Sequence, residues 1–519
     1  MKIVLAASEC VPFASTGGLG DVASALPKAL VGLGHECIRI LPYYRATAQW
    51  ADAQMKQAAA LRKSQGKSKG GLKGKSLTKS SLKGEGVRDA FAIEKTDILL
   101  EIPIADEWLQ AEVLLLAPKN APKTYFVKFD GFYDRDGLYG PPGGEFHDNI
   151  WRYAFFQKAV VALLDELKFK ADIVHCNDWQ TGIIPSYLKH GIDGQGRTQT
   201  EKTVYTIHNL AYQGTFPGIN FHILNLPNSE YTMEGVEFYD NINFMKAGIL
   251  NADLVTTVSD TYAEEIQTEE RGEGLHEILG FRKDDLIGIV NGVDYDTWNP
   301  ETDPMIEANY DPTNLAGKAS CKKALLKRMG LKHNKNIPVI GLVSRLASQK
   351  GIDLIGFCIE EIMDMGYQFV LLGSGDSRYE RFVRGWCDAW PDQFAAEIGF
   401  SHELAHQIEA GSDLFLMPSV FEPCGLNQLY SLKYGTIPVV SNTGGLADTV
   451  QDFDGKKGTG FVMKTYDIAG LNDALQRAKD LWDDNPWGWK AMAKRGMKLD
   501  FSWDSTAEDY VKIYKNLLH

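Results

Sequence analysis

Cysteine pairs, long apolar runs and excess positive charge are all missing from this chain, and each absence excludes a class of protein. Seven cysteines are scattered through 519 residues with no C-x-x-C pair, which excludes a disulfide framework and a zinc site of that type. No uninterrupted apolar run approaches the roughly 20 residues that a membrane-spanning helix needs. The formal net charge of −14 opposes general nucleic-acid binding, because phosphates are repelled. We therefore expect no membrane and no nucleic-acid partner.

What the chain does have is length and apolar content. With 519 residues that are 44% hydrophobic, it exceeds what one core normally absorbs, which predicts two large domains. The N-terminus enters a strand-like run at once, without a basic leader or a cleavage-site pattern. Together with the scattered cysteines, this favours a reducing cytoplasm, or the plastid stroma if the chain is a processed one.

One segment, residues 62–86, differs from the rest because lysine alternates there with glycine and serine. Such a segment cannot bury enough apolar surface to order itself, which predicts a solvated loop. The alternative is an arm for an anionic partner or a polymer. Its cations are Arg62, Lys63, Lys67, Lys69, Lys73, Lys75, Lys79 and Lys83.

Elsewhere, β-branched apolar runs alternate with helix-length amphipathic segments. The first series of runs lies at 3–7, 38–41, 173–176, 203–207, 254–258 and 286–290, and the second lies at 339–344, 369–373, 414–418, 437–440 and 460–463. This alternation is typical of α/β proteins with parallel sheets covered on both faces. Residues 295–314, rich in Asn, Asp, Pro and Thr, predict a hinge. The pattern therefore indicates two doubly wound domains with a cleft between them.

A six-residue repeat occurs once in each half. Residues 16–21 read TGGLGD and residues 443–448 read TGGLAD, a match at five of six positions. In each, paired glycines allow a tight turn, and the helix that follows offers free N–H groups to an anion. Either repeat alone could be only a strand-to-helix turn. The pair favours a phosphate-bearing ligand, although neither is a P-loop or a G-x-G-x-x-G motif, which disfavours an ATPase or a dehydrogenase.

Three further clusters carry chemistry at predicted strand ends. Arg345 and Lys350 follow one strand and could neutralise a diphosphate, the alternative being a solvated basic turn. Glu422 lies between an aromatic residue and a proline, which suits hydroxyl recognition or charge stabilisation. His208 ends a strand that reads as buried, where a histidine is more often a satisfied core residue.

These motifs together carry a family resemblance along nearly the whole chain. The matching segments are Ser8-Glu9 before the first turn, HCNDW at 175–179, TIHNLAYQG at 206–214, NGVD at 291–294, SRLASQKG at 344–351, EPCGL at 422–426, and YGT at 434–436 through 448. In order and spacing, the chain resembles the bacterial glycogen synthases and plant-type starch synthases. These are nucleotide-sugar glucan synthases with the GT-B fold, in which two Rossmann-like domains face a deep cleft.

The resemblance implies transfer of glucose from ADP-glucose, or less often UDP-glucose, to the non-reducing end of an α-1,4-glucan polymer with retention of configuration. It assigns Arg345 and Lys350 to the departing diphosphate, Glu422 to the side of the donor glucose, and His208 to that sugar. The remaining donor positions are Ser15, Gly17, Gly18, Asp21, Asn291, Gly373, Cys424, Gly425, Leu426, Asn427, Thr443, Gly444 and Gly445, and the acceptor or sugar positions are Asp178, Trp179, Asn209 and Tyr212. No metal and no cofactor are expected, because cations and helix N-termini take that role.

The same resemblance implies domains at 1–297 and 298–499, with a helix at 500–519 returning to the first. It also implies front-face substitution without a covalent enzyme intermediate. The family lysine before the first glycine turn is Ser15 here, and Asn427 resembles the plant-type enzymes. The open alternatives are a non-catalytic glucan-binding or priming homologue weakened at Ser15, and another GT-B transferase of the sucrose-related kind.

Overall fold

The computed structural model describes residues 1–67, 92–141 and 143–519. These residues form two compact units. Unit 1 comprises Met1–Thr257, Ile266–Ile287 and Ala507–His519, and unit 2 comprises Val258–Glu265 and Gly288–Thr506. The sequence places the boundary after residue 297, whereas the main segment of unit 2 begins at Gly288. The excursion Val258–Glu265, which leaves unit 1 and returns to it along the chain, is not indicated by the sequence.

Unit 1 is built on a nine-stranded sheet in the order β12-β11-β7-β6-β1-β2-β5-β4-β3. Its strands are β1 (Lys2–Ala6), β2 (Glu36–Pro42), β3 (Glu94–Ile104), β4 (Glu107–Leu116), β5 (Lys123–Lys128), β6 (Ile173–Asn177), β7 (Lys202–Ile207), β11 (Leu254–Thr257) and β12 (Leu286–Gly288), and a small second sheet holds β8 (Thr215–Pro217), β9 (Glu237–Phe238) and β10 (Asn241–Asn243). Strands β7, β6, β1, β2 and β5 are parallel to one another. The pairings of β4 with β5 and of β3 with β4 are antiparallel, and all three strands were missed in the sequence.

Unit 2 has a six-stranded, all-parallel sheet in the order β15-β14-β13-β16-β17-β18. Its strands are β13 (Val339–Leu346), β14 (Gln368–Gly375), β15 (Phe394–Ile398), β16 (Leu414–Met417), β17 (Ile437–Val440) and β18 (Phe461–Val462). Along β14, Phe369 and Leu371 join one apolar cluster while Val370 and Leu372 join another. Alternate side chains thus enter cores on opposite faces, as a doubly covered parallel sheet requires.

Helices connect most of these strands. They are α1 (Gly18–Gly32), α2 (Arg45–Lys67), α3 (Asp130–Tyr133), α4 (Asn149–Leu167), α5 (Ile184–His190), α6 (Phe244–Asn251), α7 (Asp260–Glu265), α8 (His276–Phe281), α9 (Ala316–Arg328), α10 (Ile352–Asp364), α11 (Ser377–Ala389), α12 (His402–Gly411), α13 (Asn427–Lys433), α14 (Gly444–Thr449), α15 (Ile468–Asp484), α16 (Pro486–Gly496) and α17 (Trp503–Leu518). Residues 62–67 of the lysine-rich segment therefore belong to α2 and not to a loop. Residues 68–86 of that segment lie outside the described residues.

The segment predicted to be a hinge packs within unit 2. The ring of Trp298 stacks between those of His406 and Tyr430, at centroid distances of 3.8 and 4.0 Å. Nearby, the buried carboxylate of Asp303 accepts hydrogen bonds from His406 Nδ1 at 2.7 Å and from the Tyr434 hydroxyl at 2.6 Å. Residues 295–314 are thus fixed by packing and hydrogen bonds, which composition alone does not reveal.

The C-terminal end of α17 is anchored in unit 1 through a buried histidine. His175 Nδ1 lies 2.8 Å from the Tyr514 hydroxyl, and its Nε2 lies 2.6 Å from Thr206 Oγ1. Burial lowers the pKa of His175 to about 3, so the ring is neutral at pH 7. A neutral imidazole with both nitrogens engaged ties the C-terminal part of α17 to the unit 1 core.

Replacing Tyr514 with phenylalanine tests this anchor. Tyr514→Phe leaves a ring nitrogen of His175 without its partner, and an unsatisfied buried polar group costs about 1–3 kcal/mol. We expect a lower Tm in thermal unfolding, measured against Tyr239→Phe, because Tyr239 is 80% exposed. Equal Tm values for the two variants would contradict the anchoring role.

Candidate active site

Three adjacent strands of unit 1 end beside one another and deliver three polar side chains. Asp178 directly follows β6 and His208 directly follows β7, while Glu9 comes shortly after β1. Because the carboxyl ends of parallel strands meet at one edge of a sheet, these groups converge there. The contact between two of them is direct, since the His208 backbone N–H donates to Asp178 Oδ1 at 2.8 Å.

The orientation of Asn177 determines which nitrogen of His208 carries its proton. The Asn177 amide nitrogen donates to the carbonyl oxygens of Ala6, at 3.1 Å, and His175, at 3.4 Å. Its oxygen therefore faces His208 Nε2, 2.9 Å away, and accepts a hydrogen bond from it. Burial lowers the pKa of His208 to about 3. The neutral ring consequently presents Nδ1 as an acceptor, suited to a sugar hydroxyl.

Asp178 has an uncommon backbone conformation, and the pKa of its carboxyl group is raised. Its φ of 57° lies in the left-handed region, which non-glycine residues adopt rarely and mostly where surrounding contacts fix them. Burial raises the pKa of Asp178 to about 7, although backbone hydrogen bonds from His208 and Asn209 act in the opposite direction. A carboxyl group that titrates near neutrality at the end of a strand is a feature of functional sites.

The first glycine turn receives a carboxylate from within the chain. Thr16 Oγ1 donates to Glu9 Oε1 at 2.6 Å, and Gly17 N donates to Glu9 Oε2 at 3.2 Å. The Tyr139 hydroxyl also donates to Glu9, which is 4% exposed. Thr16 and Gly17 therefore already donate their hydrogen bonds to Glu9. The next residue, Gly18, is exposed at the start of α1.

Ser15, which stands where the resembling enzymes have lysine, is folded against α1. Its hydroxyl donates to the carbonyl of Gly17 at 3.1 Å. A Cβ at Gly20 would lie 2.3 Å from Ser15 Oγ, so only glycine at position 20 leaves room for this arrangement. Asp21 lies in the first turn of the same helix. The local geometry thus places a small neutral group at position 15.

The other predicted sugar contacts differ in their exposure. Trp179 is only 7% exposed and packs edge-on against Tyr153, so its ring belongs to the core. Tyr212 is 51% exposed. The Asn209 side chain accepts from Ala211 N at 3.0 Å and thereby shapes the loop that carries Tyr212. Of the two aromatic residues, only Tyr212 has a ring that is accessible to a sugar.

In unit 2, the carboxyl end of β13 supplies the two predicted cations. Arg345 is exposed near the end of the strand, and among the described residues its guanidinium has no ion-pair partner. Lys350 lies in the 3₁₀ turn that precedes α10. Gly351 follows with a φ of 71°, and a Cβ there would lie 1.8 Å from the carbonyl oxygen of Pro418. Glycine is therefore required at position 351 for this turn to pack against the end of β16.

This close approach brings Lys350 to the predicted carboxylate. Lys350 Nζ donates to Glu422 Oε2 at 2.6 Å, and the side chains are 19% and 9% exposed. Ser419 Oγ donates to the same oxygen at 3.0 Å. Largely buried ion pairs are held by such additional hydrogen bonds, because each charge loses its water. The structure thus joins two residues that the sequence assigned to separate roles.

The loop after Glu422 is closed by backbone and side-chain contacts. Asn427 Nδ2 donates to the carbonyl of Val343 at 2.6 Å, which ties the start of α13 to β13. Gly425 has a φ of 69°, and Leu426 is the residue before α13. Cys424 is buried, and burial raises the pKa of its thiol to about 12. This cysteine is therefore a neutral packing group.

Two further predicted donor positions lie in the same unit. Asn291 is 4% exposed, and its Oδ1 is buried without a hydrogen-bond partner among the described residues. Gly373 pairs with Ser344 across β14 and β13, and a Cβ at Gly373 would lie 2.2 Å from the Ser344 carbonyl oxygen. The strand end beside Arg345 thus depends on glycine at position 373.

The second glycine turn also binds a carboxylate of the same chain. Thr443 Oγ1 donates to Glu265 Oε1 at 2.8 Å, and Gly444 N donates to the same oxygen at 3.1 Å. Gly445 N donates to the carbonyl oxygens of Glu422 and Pro423, each at 3.1 Å. The sequence predicted an open anion cradle at these N–H groups, whereas in the structure each has an internal acceptor.

The described residues hold neither a cluster of metal ligands nor a membrane-spanning helix. Within residues 1–67, 92–141 and 143–519, no group of three or more His, Cys, Asp or Glu side chains could hold a metal ion. Across the same residues, no helix is long and apolar enough to span a membrane.

Comparison with known proteins places the chain in a family. The starch synthase catalytic domain matches residues 2–100 and 82–280, and the glycosyl transferases group 1 domain matches residues 326–486. The chain is 42% identical to a glycogen synthase of Anaeromyxobacter dehalogenans over 519 residues, covering 100% of both chains. It is 40% identical to one of Koribacter versatilis, covering 99% of this chain and 98% of the other. The chain belongs to the glycogen and starch synthase family.

Solved structures agree with this family and its fold. The catalytic domain of starch synthase IV from Arabidopsis thaliana, bound to ADP and acarbose, matches with a TM-score of 0.84 and 31% identity, covering 100% of this chain and 99% of that chain. A sucrose-phosphate synthase from Thermosynechococcus elongatus matches with a TM-score of 0.57 at 15% identity, covering 99% of this chain and 98% of that chain, and this shows the fold alone. The predicted α/β fold with two Rossmann-like GT-B domains is confirmed, and the chain is a glycosyltransferase.

Sequence reasoning about this glycosyltransferase missed several residues that hold the site. Glu9 was noted only as part of a motif, and Tyr139, Ser259 and Glu265 were not considered. Several of their partners are distant in the chain, as Glu265 and Thr443 are, 178 positions apart. The one available signal was the repeated threonine before each glycine pair, which offers a hydroxyl donor to a carboxylate.

The raised pKa of Asp178 predicts a pH-dependent stability. Between the unperturbed value near 3.8 and the folded value of about 7, the native state binds a proton that the unfolded state has released, so stability falls as pH rises by about 1.4 kcal/mol per pH unit. Asp178→Asn removes this contribution. We expect its Tm relative to wild type to increase steadily from pH 4 to pH 7.

The matched control is Asp106→Asn, because Asp106 is exposed in the same unit. Its Tm difference from wild type should stay constant over that range. A constant difference for Asp178→Asn as well would contradict the raised pKa.

Proposed function

We propose that this glycosyltransferase moves glucose from ADP-glucose to the non-reducing 4-hydroxyl of an α-1,4-glucan with retention of configuration. The observation that carries the proposal is the pairing of Lys350 with Glu422 beside an exposed Arg345 in unit 2. Two cations at one sheet edge suit a diphosphate that gains negative charge as it leaves. A glucan-binding module has no need of such a cation pair.

The proposed roles follow from the geometry of each residue. Arg345 binds the diphosphate through its exposed guanidinium. Lys350 uses one of its three N–H donors on Glu422, which leaves two for phosphate oxygens. Glu422, fixed by Lys350 and Ser419, accepts hydroxyl groups of the donor glucose. His208 accepts a sugar hydroxyl at its unprotonated Nδ1.

The proposed reaction needs no metal ion or cofactor, because Arg345 and Lys350 supply the positive charge that a metal would otherwise bring. We further propose a cytoplasmic location, which the seven free cysteines support. The solved starch synthase IV was bound to ADP and acarbose, and ADP is the leaving group in this proposal.

The proposed chemistry is substitution at the face from which ADP departs. A retaining hydrolase holds two carboxyl groups about 5 Å apart, one as nucleophile and one as acid. Here the Glu422 carboxylate is engaged by an ammonium group at 2.6 Å and a hydroxyl at 3.0 Å, which suits a positioned acceptor more than a nucleophile. A glycosyl adduct trapped on Glu422 would overturn this mechanism.

A non-catalytic glucan-binding homologue is the second candidate, and Ser15 is the observation that favours it. The serine hydroxyl is turned onto Gly17, so the turn lacks the charge that the family lysine brings. A charged hydrogen bond contributes about 1.5–3 kcal/mol, or roughly ten- to a hundredfold in rate or affinity.

The decisive assay is incorporation of labelled glucose into glycogen by wild type, Glu422→Ala and Ser15→Lys, with ADP-glucose and UDP-glucose in parallel. We expect wild type to incorporate glucose from ADP-glucose and Glu422→Ala to lose at least about a hundredfold, since it removes the carboxylate that positions the donor sugar. Ser15→Lys should stay active. A wild type that is inactive with both donors and is rescued by Ser15→Lys would instead identify the glucan-binding homologue.

A further inference from the structure

The same hydrogen-bond pattern closes both glycine turns. In unit 2, Glu265 accepts from Thr443 Oγ1 at 2.8 Å and from Gly444 N at 3.1 Å. In unit 1, Glu9 accepts from Thr16 Oγ1 and Gly17 N at 2.6 and 3.2 Å. These backbone N–H groups have no partner within their own helices, because they precede the first helical hydrogen bond. Each internal carboxylate therefore fixes the position of its turn.

The turn at Thr443 bears directly on the backbone of Glu422. The next donor, Gly445 N, bonds to the Glu422 and Pro423 carbonyl oxygens at 3.1 Å each. A Cβ at Gly444 would lie 2.1 Å from the Glu422 carbonyl oxygen, and a Cβ at Gly445 would lie 2.0 Å from that of Cys424. With so little space, a shift of the turn must shift the backbone that carries the Glu422 side chain.

The segment that supplies Glu265 touches this loop at a second point. Ser259 Oγ donates to the Pro423 carbonyl at 2.8 Å and accepts from Tyr262 N at 3.0 Å. Ser259 is fully buried. The excursion Val258–Glu265 therefore contacts the Glu422 loop directly through Ser259 and indirectly through the glycine turn.

Helices α7 and α14 also cap each other. Glu265, at the end of α7, accepts from the start of α14, and Asp448, near the end of α14, accepts from Thr261 near the start of α7. The Asp448 carboxylate receives Thr261 N at 3.1 Å and Thr261 Oγ1 at 2.5 Å. Neither short helix is long enough to be stable alone, so each depends on these contacts with the other.

We propose that Glu265 is a positioning residue for Glu422. Its carboxylate holds the Thr443–Gly444 turn, the turn supports the Glu422 backbone, and that backbone directs the Glu422 side chain toward Lys350 and the donor sugar. This inference rests on the proposed function for its kinetic consequence. The contacts on which it depends all lie within unit 2.

The kinetic consequence is a loss in kcat with little change in the KM for ADP-glucose. A misplacement of about 1 Å in a group that acts on the reacting sugar can cost about a hundredfold in rate. The diphosphate is held by Arg345 and Lys350, whose backbone is fixed by β13 and the Gly351 turn and not by Glu265. We expect Glu265→Ala to lower kcat by about 10- to 100-fold. The KM for ADP-glucose should change less than about threefold.

Two variants separate positioning from general stability. Glu265→Gln keeps an oxygen that can accept from Thr443 and Gly444, so it should retain kcat within about threefold of wild type. Glu264→Ala is the matched control, because Glu264 is the exposed neighbour on the same helix, and it should behave as wild type. A purely structural effect would lower Tm in Glu265→Ala without lowering kcat for the folded protein.

The experiment combines steady-state kinetics of the four proteins with hydrogen–deuterium exchange of peptides that contain Glu422. If Glu265→Ala fails to fold, Thr443→Val removes one of the two bonds and replaces it in the series. Faster exchange at Glu422, together with the kcat loss and its rescue by Gln, supports the proposal. An unchanged kcat in Glu265→Ala, with active wild type, overturns it.

If wild type transfers no glucose, the proposed function fails. The hydrogen–deuterium exchange measurement alone then tests whether Glu265 positions Glu422. Faster exchange of the Glu422 peptides in Glu265→Ala, but not in Glu264→Ala, would still support the positioning contact. Unchanged exchange would overturn it.

Discussion

Removing a cation and a carboxylate from water is costly, and the pair persists only where the surrounding structure holds both groups in place. Lys350 and Glu422 meet this constraint at the carboxyl edge of the unit 2 sheet. Lys350 is placed by a turn that requires glycine at position 351, and Glu422 by a loop that rests on Gly444 and Gly445. Close backbone approach at these glycines determines the site's geometry.

The internal carboxylates extend the same reasoning to both units. A glycine turn at the start of a helix offers N–H groups that need an acceptor, and the chain supplies Glu9 to one turn and Glu265 to the other. The repeated TGGL motif therefore has a structural role: each copy binds a carboxylate of the same chain. This role is separate from any contact with a ligand. The first donors are engaged, so a phosphate must use groups beyond them.

The sequence predicts most of the parallel strands, because runs such as those of β1 and β13 are continuous apolar segments, but it misses β15, which pairs in parallel with β14. It does not predict β3, β4 and β5, whose antiparallel pairing follows the lysine-rich segment and breaks the strand–helix alternation. Nor does it predict that Val258–Glu265 belongs to unit 2 or that Trp298 is stacked in its core. These features depend on contacts between residues distant in the chain, which local pattern does not encode.

Motif resemblance predicts four site residues from the sequence, namely Arg345, Lys350, Glu422 and His208. Only the structure shows the protonation and ion pairing of the groups at the site. The neutral ring of His208 and the raised pKa of Asp178 follow from burial. The ion pair of Lys350 follows from the backbone path around Gly351.

A double-mutant cycle on kcat/KM for glucose transfer shows whether Lys350 and Glu422 act as a unit. The proteins are Lys350→Met, Glu422→Gln and the double variant, measured against wild type. We expect the double variant to lose about as much as the more damaging single variant, because breaking the pair once removes its function. Losses that multiply would show that the two residues act independently and would contradict the account.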